Sequence, residues 1–331
     1  MKKKKIKNPL IRRIPRELLG DWKKYLVVAL FLILTIGFVS GMYVANESML
    51  VAANEGVTKY KLEDGHFELD KKADETLLAA IETGTKADVK QYYLDKAKKE
   101  LDEKLDEKAY PEAYDKAWDK IVEEIDDKYA DAEEKYELND PDFTEVPVKV
   151  YENFFRNEEE DYNNDGEAEG NIRVYAKNDN VDLACLLDGA FPEKADEIAI
   201  DRMHADNVGV KVGDEISVRG QRFKVVGLIA YVNYATLHEK STDMMFDAIK
   251  FDVAMVTQEG FDSLHKTVHY AYTWNYVDTP ADEVEQKAKS DDFMKALLTQ
   301  VVCADKELED YMPRYVNPAI NFATDDMGSD K

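Results

Sequence analysis

The sequence predicts an α+β protein with one N-terminal transmembrane helix, an extracytoplasmic α+β domain and a helical hairpin inserted in that domain. Three observations predict it. Residues 25–45, YLVVALFLILTIGFVSGMYVA, carry no charge in a chain that is 34% charged. Residues 86–137 contain no glycine and repeat apolar residues at helical spacing. From residue 144 onward the apolar period changes to two, the period of strands.

The apolar run comes first. At about 1.5 Å per residue it spans roughly 31 Å, one hydrocarbon core. A cleaved secretory leader has an apolar core of about 7–15 residues before a small-x-small site. This run is longer, and Ser40-Gly41 and Ala45-Asn46 are poor cleavage matches. An uncleaved anchor over 25–45 is therefore predicted, with Tyr25, Leu30, Leu34, Phe38 and Val44 facing lipid.

The flanks set its orientation. Residues 1–24 hold ten Lys/Arg against Glu17 and Asp21, a net of +8, which leaves −33 on residues 25–331 of a chain at −25. The positive end stays in the cytoplasm and the acidic remainder crosses to the outside of the cell membrane. The basic tip attracts anionic membrane lipid. Within it, Asn8 and Pro9 suit a helix start. Ile11, Ile14, Leu18 and Trp22 then recur as the apolar face of an interfacial helix. One short basic segment on an acidic chain argues against nucleic acid as a partner.

Residues 46–331 form the extracytoplasmic domain. GHFELD (65–70) reads as a strand and KADETLLAAIE (72–82) as a helix. In the insertion at 86–137, Leu94, Ala97, Leu101 and Leu105 form one stripe. Tyr114, Trp118, Ile121, Ile125, Tyr129, Ala132 and Tyr136 form a second, opened by Pro111. Two arms of roughly 35–40 Å are expected, projecting from the body and packed on each other. Further strands are expected in TEVPVKVYENFF, NIRVYA, VDLACLLDG, DEIAI, FDVAMV and YTWNYVD, and a hairpin turning at Arg219-Gly220. Helices are expected at 201–208, 258–266 and 280–300.

Residues 188–230, DGAFPEKADEIAIDRMHADNVGVKVGDEISVRGQRFKVVGLIA, carry a resemblance. Gly189, Pro192, Glu197, Ile198 and Ile200 match a G-x-x-P…E-I-x-I segment. Gly209, Lys211, Gly213, Asp214, Ile216 and Val218 match G-x-K-x-G-D-x-I-x-V, and Val225, Val226 and Gly227 a V-V-G strand. Together with the N-terminal anchor, this is similar to FtsX-like (MacB-type) ABC transporter permeases. The resemblance implies a cytoplasmic ABC ATPase subunit as partner, a homodimer or paired permease, and export or signalling driven by that ATPase. The 86–137 hairpin departs from the family pattern. So does the lack of further transmembrane helices after residue 331, which suggests a fragment or a shortened permease. The alternative is a single-pass surface protein that binds a partner through the hairpin.

No enzyme, cofactor or metal motif emerges: neither GxxxxGK[ST] nor GxSxG occurs. DYNNDGEAEG (161–170) begins like a calcium loop, but Ile172 stands where a bidentate Glu is needed, so a solvated turn is expected. His265 and His269 fall one turn apart if helical and lack a third ligand; His66, His204 and His238 stand alone in the sequence. Cys185 and Cys303 are either one long-range disulfide or two free thiols.

Overall fold

The computed structural model describes residues 20–136, 138–234, 237–239, 245, 247–304 and 321–324. The chain divides into two compact units between Lys59 and Tyr60. In the first unit a single helix, α1, runs Trp22–Lys59. Within its first 24 residues, Trp22–Ala45, an 18-residue stretch has a mean hydropathy of 2.4 and is not buried by any of the described residues. That segment is long and apolar enough to cross a membrane. The helix does not stop with the apolar run; it continues through the polar residues to Lys59.

The second unit is α+β. Its elements are β1 (Gly65–Leu69), α2 (Glu75–Glu82), α3 (Val89–Lys104), α4 (Pro111–Tyr136), β2 (Val148–Glu152), β3 (Phe155–Asp161), β4 (Gly170–Ala176) and β5 (Cys185–Gly189). There follow β6 (Glu197–Asp201), α5 (Arg202–Val208), β7 (Glu215–Val218), β8 (Gln221–Ala230) and β9 (Phe251–Val256). α6 (Gln258–Ser263), β10 (Tyr270–Tyr276), α7 (Glu283–Ala304) and β11 (Asn321–Thr324) complete it.

The strands make two sheets. The smaller is antiparallel in the order β11-β1-β10-β2. The larger runs β5-β8-β6-β9-β4-β3-β7, and β7 also pairs with β8. That last pairing closes β7, β3, β4, β9, β6 and β8 into a six-stranded barrel, with β5 attached to β8. Closure removes exposed strand edges. The central strands show why: β6 and β9 bury both faces, so their residues read as continuous apolar runs. Ile198, Ile200, Ala254 and Val256 enter one cluster, while Ala199, Val253 and Met255 enter another on the opposite face.

Helix starts follow side-chain chemistry. Asp74, Asp88, Asp201 and Thr257 cap α2, α3, α5 and α6, each accepting a backbone N–H of the first turn. Asp74 Oδ1 accepts from Leu77 N at 2.8 Å at an exposed site, so Asp74→Ala is expected to remove about 1 kcal/mol, read as a lower urea midpoint with an unchanged slope.

The hairpin insertion is present, with corrections. α4 has 26 residues and is about 39 Å long, but α3 has 16 and reaches only about 24 Å. The α3 stripe continues in sequence to Leu105, where the backbone turns extended (φ −140°) and Asp106 bonds Lys108 N to form the loop. Nor does the hairpin simply project. Val89 and Tyr93 of α3 and Ile125 of α4 pack with Leu298 and Val302 of α7, seating its base on the domain.

Two strands were not announced by the sequence, β11 and β3. FRNEEED lacks apolar alternation, yet Glu158 and Glu160 are its inward residues. His265 and His269 are not on a helix: α6 ends at Ser263, and His269 bridges to Phe155, with its ring stacked at 4.6 Å. The two cysteines are free thiols. Tyr60 Oη donates to Cys185 Sγ at 2.9 Å, and Cys303 packs beside α3 and α4, where burial pushes its thiol up to about 12.

Candidate functional site

Two features of the barrel unit concentrate chemistry or strict geometry: the glycine-bearing turns and a buried charged cluster. The turns come first. α5 ends on Gly209 in the left-handed conformation (φ +83°), and its N–H reaches Ala205 O. Asp214 Oδ2 then accepts from Lys211 N at 2.8 Å, and Gly213 N and Val225 O bond at 2.8 Å, fixing the entry into β7. Ile216 and Val218 of β7 and Val225 of β8 are fully buried. The hairpin between β7 and β8 turns at Arg219 and Gly220, both at positive φ (+49° and +79°).

β5 meets β8 with Gly189 opposite Gly227. The backbones approach closely there: a Cβ on Gly189 would lie 2.2 Å from Val226 O, and one on Gly227 2.2 Å from Ala190 O. Pro192 is buried just beyond. Glu197 Oε2 accepts from Glu193 N and Lys194 N at 2.9 and 3.2 Å, holding its carboxyl below the usual range and shaping the loop before β6.

On α1, Tyr25, Leu30, Leu34, Phe38 and Val44 are all exposed, as is Trp22 at its start. Ile11, Ile14 and Leu18 lie outside the described residues.

The buried cluster was missed by sequence reasoning. Glu160 of β3, His204 of α5 and Asp252 of β9 are each 0% exposed. One ligand-type atom from each lies within 4.8 Å of the other two. His204 Nδ1 lies 2.8 Å from Ala248 O, a partner that can only accept, so Nδ1 carries the proton and Nε2 faces the carboxylates. Nε2 lies 3.3 Å from Glu160 Oε2. Asp252 Oδ1 accepts from Asp201 N and Val253 N at 3.1 and 2.7 Å. Among the described residues, neither Glu160 oxygen, nor Asp252 Oδ2, nor His204 Nε2 has a hydrogen bond. Burial disfavours a charged ring, but Asp252 and Glu160 outweigh it and push His204 up to about 9. Burial holds Asp252 well above the carboxylate range. No spacing rule links positions 160, 204 and 252. The only available signal was the run of acids on β3, whose inward members need a cationic partner.

The loop at 161–170 joins β3 to β4. Asp161 accepts from Asp165 N and Gly166 N, and Asn163 and Asp165 cap the next amides, forming nested Asx turns. Glu169 stands near Asp161 and Asp165, and burial followed by those charges raises its carboxyl.

The chain matches no protein-family model and none of the curated proteins. Among solved structures it is similar to the periplasmic region of MacB from Actinobacillus actinomycetemcomitans, at 9% identity and a TM-score of 0.29, over 57% of this chain and 75% of that one. It is also similar to the extracellular domain of the noncanonic ABC-type transporter YknZ from Gram-positive bacteria, at 11% identity and a TM-score of 0.26, over 48% and 77%.

Proposed function

We propose that this chain is a membrane-anchored permease component of an ABC transporter of the FtsX/MacB type. Residues 1–24 stay in the cytoplasm, residues 25–45 span the cell membrane, and the α+β unit lies outside. A cytoplasmic ABC ATPase dimer supplies the energy, and a second permease chain completes the pair. The chain itself hydrolyses nothing; its barrel unit transmits movement of the membrane helix to a substrate or an outside partner.

The observation that carries this reading is charge segregation about an unburied apolar helix: +8 before it and −33 from residue 25 onward. The glycine-turn motif at Gly189–Gly227, read in the sequence as FtsX/MacB-like, supports the transporter class. The surface-binder alternative needs the hairpin's apolar stripe free. Leu101, Tyr114 and Ile125 are instead buried, and Ile125 packs in the cluster that seats the hairpin on α7.

The test is topology plus capture. Protease added to intact cells should degrade the α+β unit and leave residues 1–24 intact, and the tagged full chain should retain an ABC ATPase on purification. A protected α+β unit overturns the orientation; exposure without an ATPase moves the assignment to the binder. A second measurement checks the span. Replacing Leu30 and Leu34 with Arg puts two charges near mid-bilayer at about 2.5–3.5 kcal/mol each. The variant is expected to leave the carbonate-resistant membrane fraction that retains the parent chain.

A further inference from the structure

We propose that Glu160, His204 and Asp252 bind a divalent transition-metal ion inside the barrel. The argument begins with charge. Two carboxylates and an imidazole share a site with no solvent exposure. Burying carboxylates unpaired is costly, and polar atoms with no access to water need partners. Without an ion, an imidazolium set against Glu160 and a protonated Asp252 would also leave the site uncharged, but Asp252 Oδ2 would still lack a hydrogen bond among the described residues. A doubly charged ion answers both carboxylates and brings the site to neutrality with the ring uncharged.

The geometry agrees. The Nδ1 proton donated to Ala248 O fixes the tautomer and aims the Nε2 lone pair at the carboxylates, the second contact that metal-bound histidines usually have. Asp252 is held the same way, its Oδ1 anchored by two backbone amides while Oδ2 stays free. The separation of 3.3 Å between Nε2 and Glu160 Oε2 is close to the roughly 3.3–3.4 Å between two ligands about 2.0–2.1 Å from a tetrahedral ion. One imidazole with two carboxylates suits Zn2+ or Mn2+. Asp201, on the same helix cap as His204, spends Oδ1 on the α5 amides.

Such an ion would tie β3, α5 and β9, three elements distant in sequence, at one end of the barrel. Because the site is closed, the metal would enter as the chain folds and leave only on unfolding.

The test uses the full chain in detergent micelles, produced with ZnSO4 or MnCl2 and then desalted. Elemental analysis is expected to find about one ion per chain, kept against EDTA while folded and lost on unfolding. Co2+ in place of zinc should give visible absorption. Glu160→Gln and Asp252→Asn preserve shape and are expected to lower metal content at least tenfold, with circular dichroism confirming the fold. A folded parent chain without stoichiometric metal overturns the proposal. So does a folded Glu160→Gln chain that keeps its ion, which would place the metal elsewhere, for example at Asp161, Asp165 and Glu169. If both variants fail to fold, the parent chain's metal content and its release on unfolding decide.

Discussion

Trp274→Ala is expected to destabilise the α+β unit by about 3–5 kcal/mol, a large part of what a domain has in total. Trp274 sits on β10, which is internal to the smaller sheet and pairs with β1 on one side and β2 on the other. Its indole is fully buried and meets Tyr276 and Phe293 rings, both at 4.8 Å between centroids. Phe293 belongs to α7, so the indole is where that helix meets the sheet. Removing it opens a cavity between β10 and α7, and a strand paired on both sides has little room to collapse. Val284→Ala, at a position 80% exposed on the same helix, should move stability by less than about 0.5 kcal/mol. Urea titration of the full chain in detergent, followed by circular dichroism, separates the two. Equal midpoints for the two variants would show that α7 is not held through this indole.

The loss is also expected to reach the barrel. Phe154, between β2 and β3, packs edge-on against Tyr270 and Tyr272 of β10 at 5.3 Å and also lines the barrel cluster. One residue thus shares two cores, so the transition should remain a single step rather than splitting into two.

How far the residues themselves announced this architecture depends on where each element's partners lie. β6 and β9 were legible because both faces are covered, which writes an apolar run into the sequence, and β8 because its first half alternates buried and exposed residues. The β7–β8 turn was legible because a two-residue loop is a local problem. β3 was not, since Glu158 and Glu160 turn inward only because Arg219 and His204 wait there, 3.7 and 3.3 Å away and far along the chain. Barrel closure was invisible for the same reason, resting on two residue pairs between β3 and β7. The glycine motif could be read, but the pairing of Gly189 with Gly227 across two strands could not. The buried cluster draws one residue from each of three distant segments, so periodicity had nothing to detect. The end of α3 was misplaced because an apolar stripe reports a face and not a stop.

The glycine motif itself yields a ranked series in which geometry separates two costs. Gly209→Ala meets no atom within 4 Å but must hold φ near +83°, so it is expected to lose about 1–2 kcal/mol from conformation alone. Gly227→Ala has no such torsional demand, but its Cβ would lie 2.2 Å from Ala190 O, a backbone atom that cannot rotate away. Overpacking of that kind costs about 1–3 kcal/mol, sometimes more. Gly189→Ala suffers both, with φ at +73° and Val226 O at 2.2 Å, so its loss should approach the sum, roughly 2–5 kcal/mol. Because β5 pairs with no described strand other than β8, the damage should begin there. Amide exchange across Cys185–Gly189 is expected to quicken in Gly189→Ala before the midpoint of global unfolding shifts in proportion. The expected order of loss is Gly189 first, Gly227 next and Gly209 last. If Gly209→Ala proved the most damaging, torsion at the α5 terminus, and not the close approach of β5 to β8, would be what the motif protects.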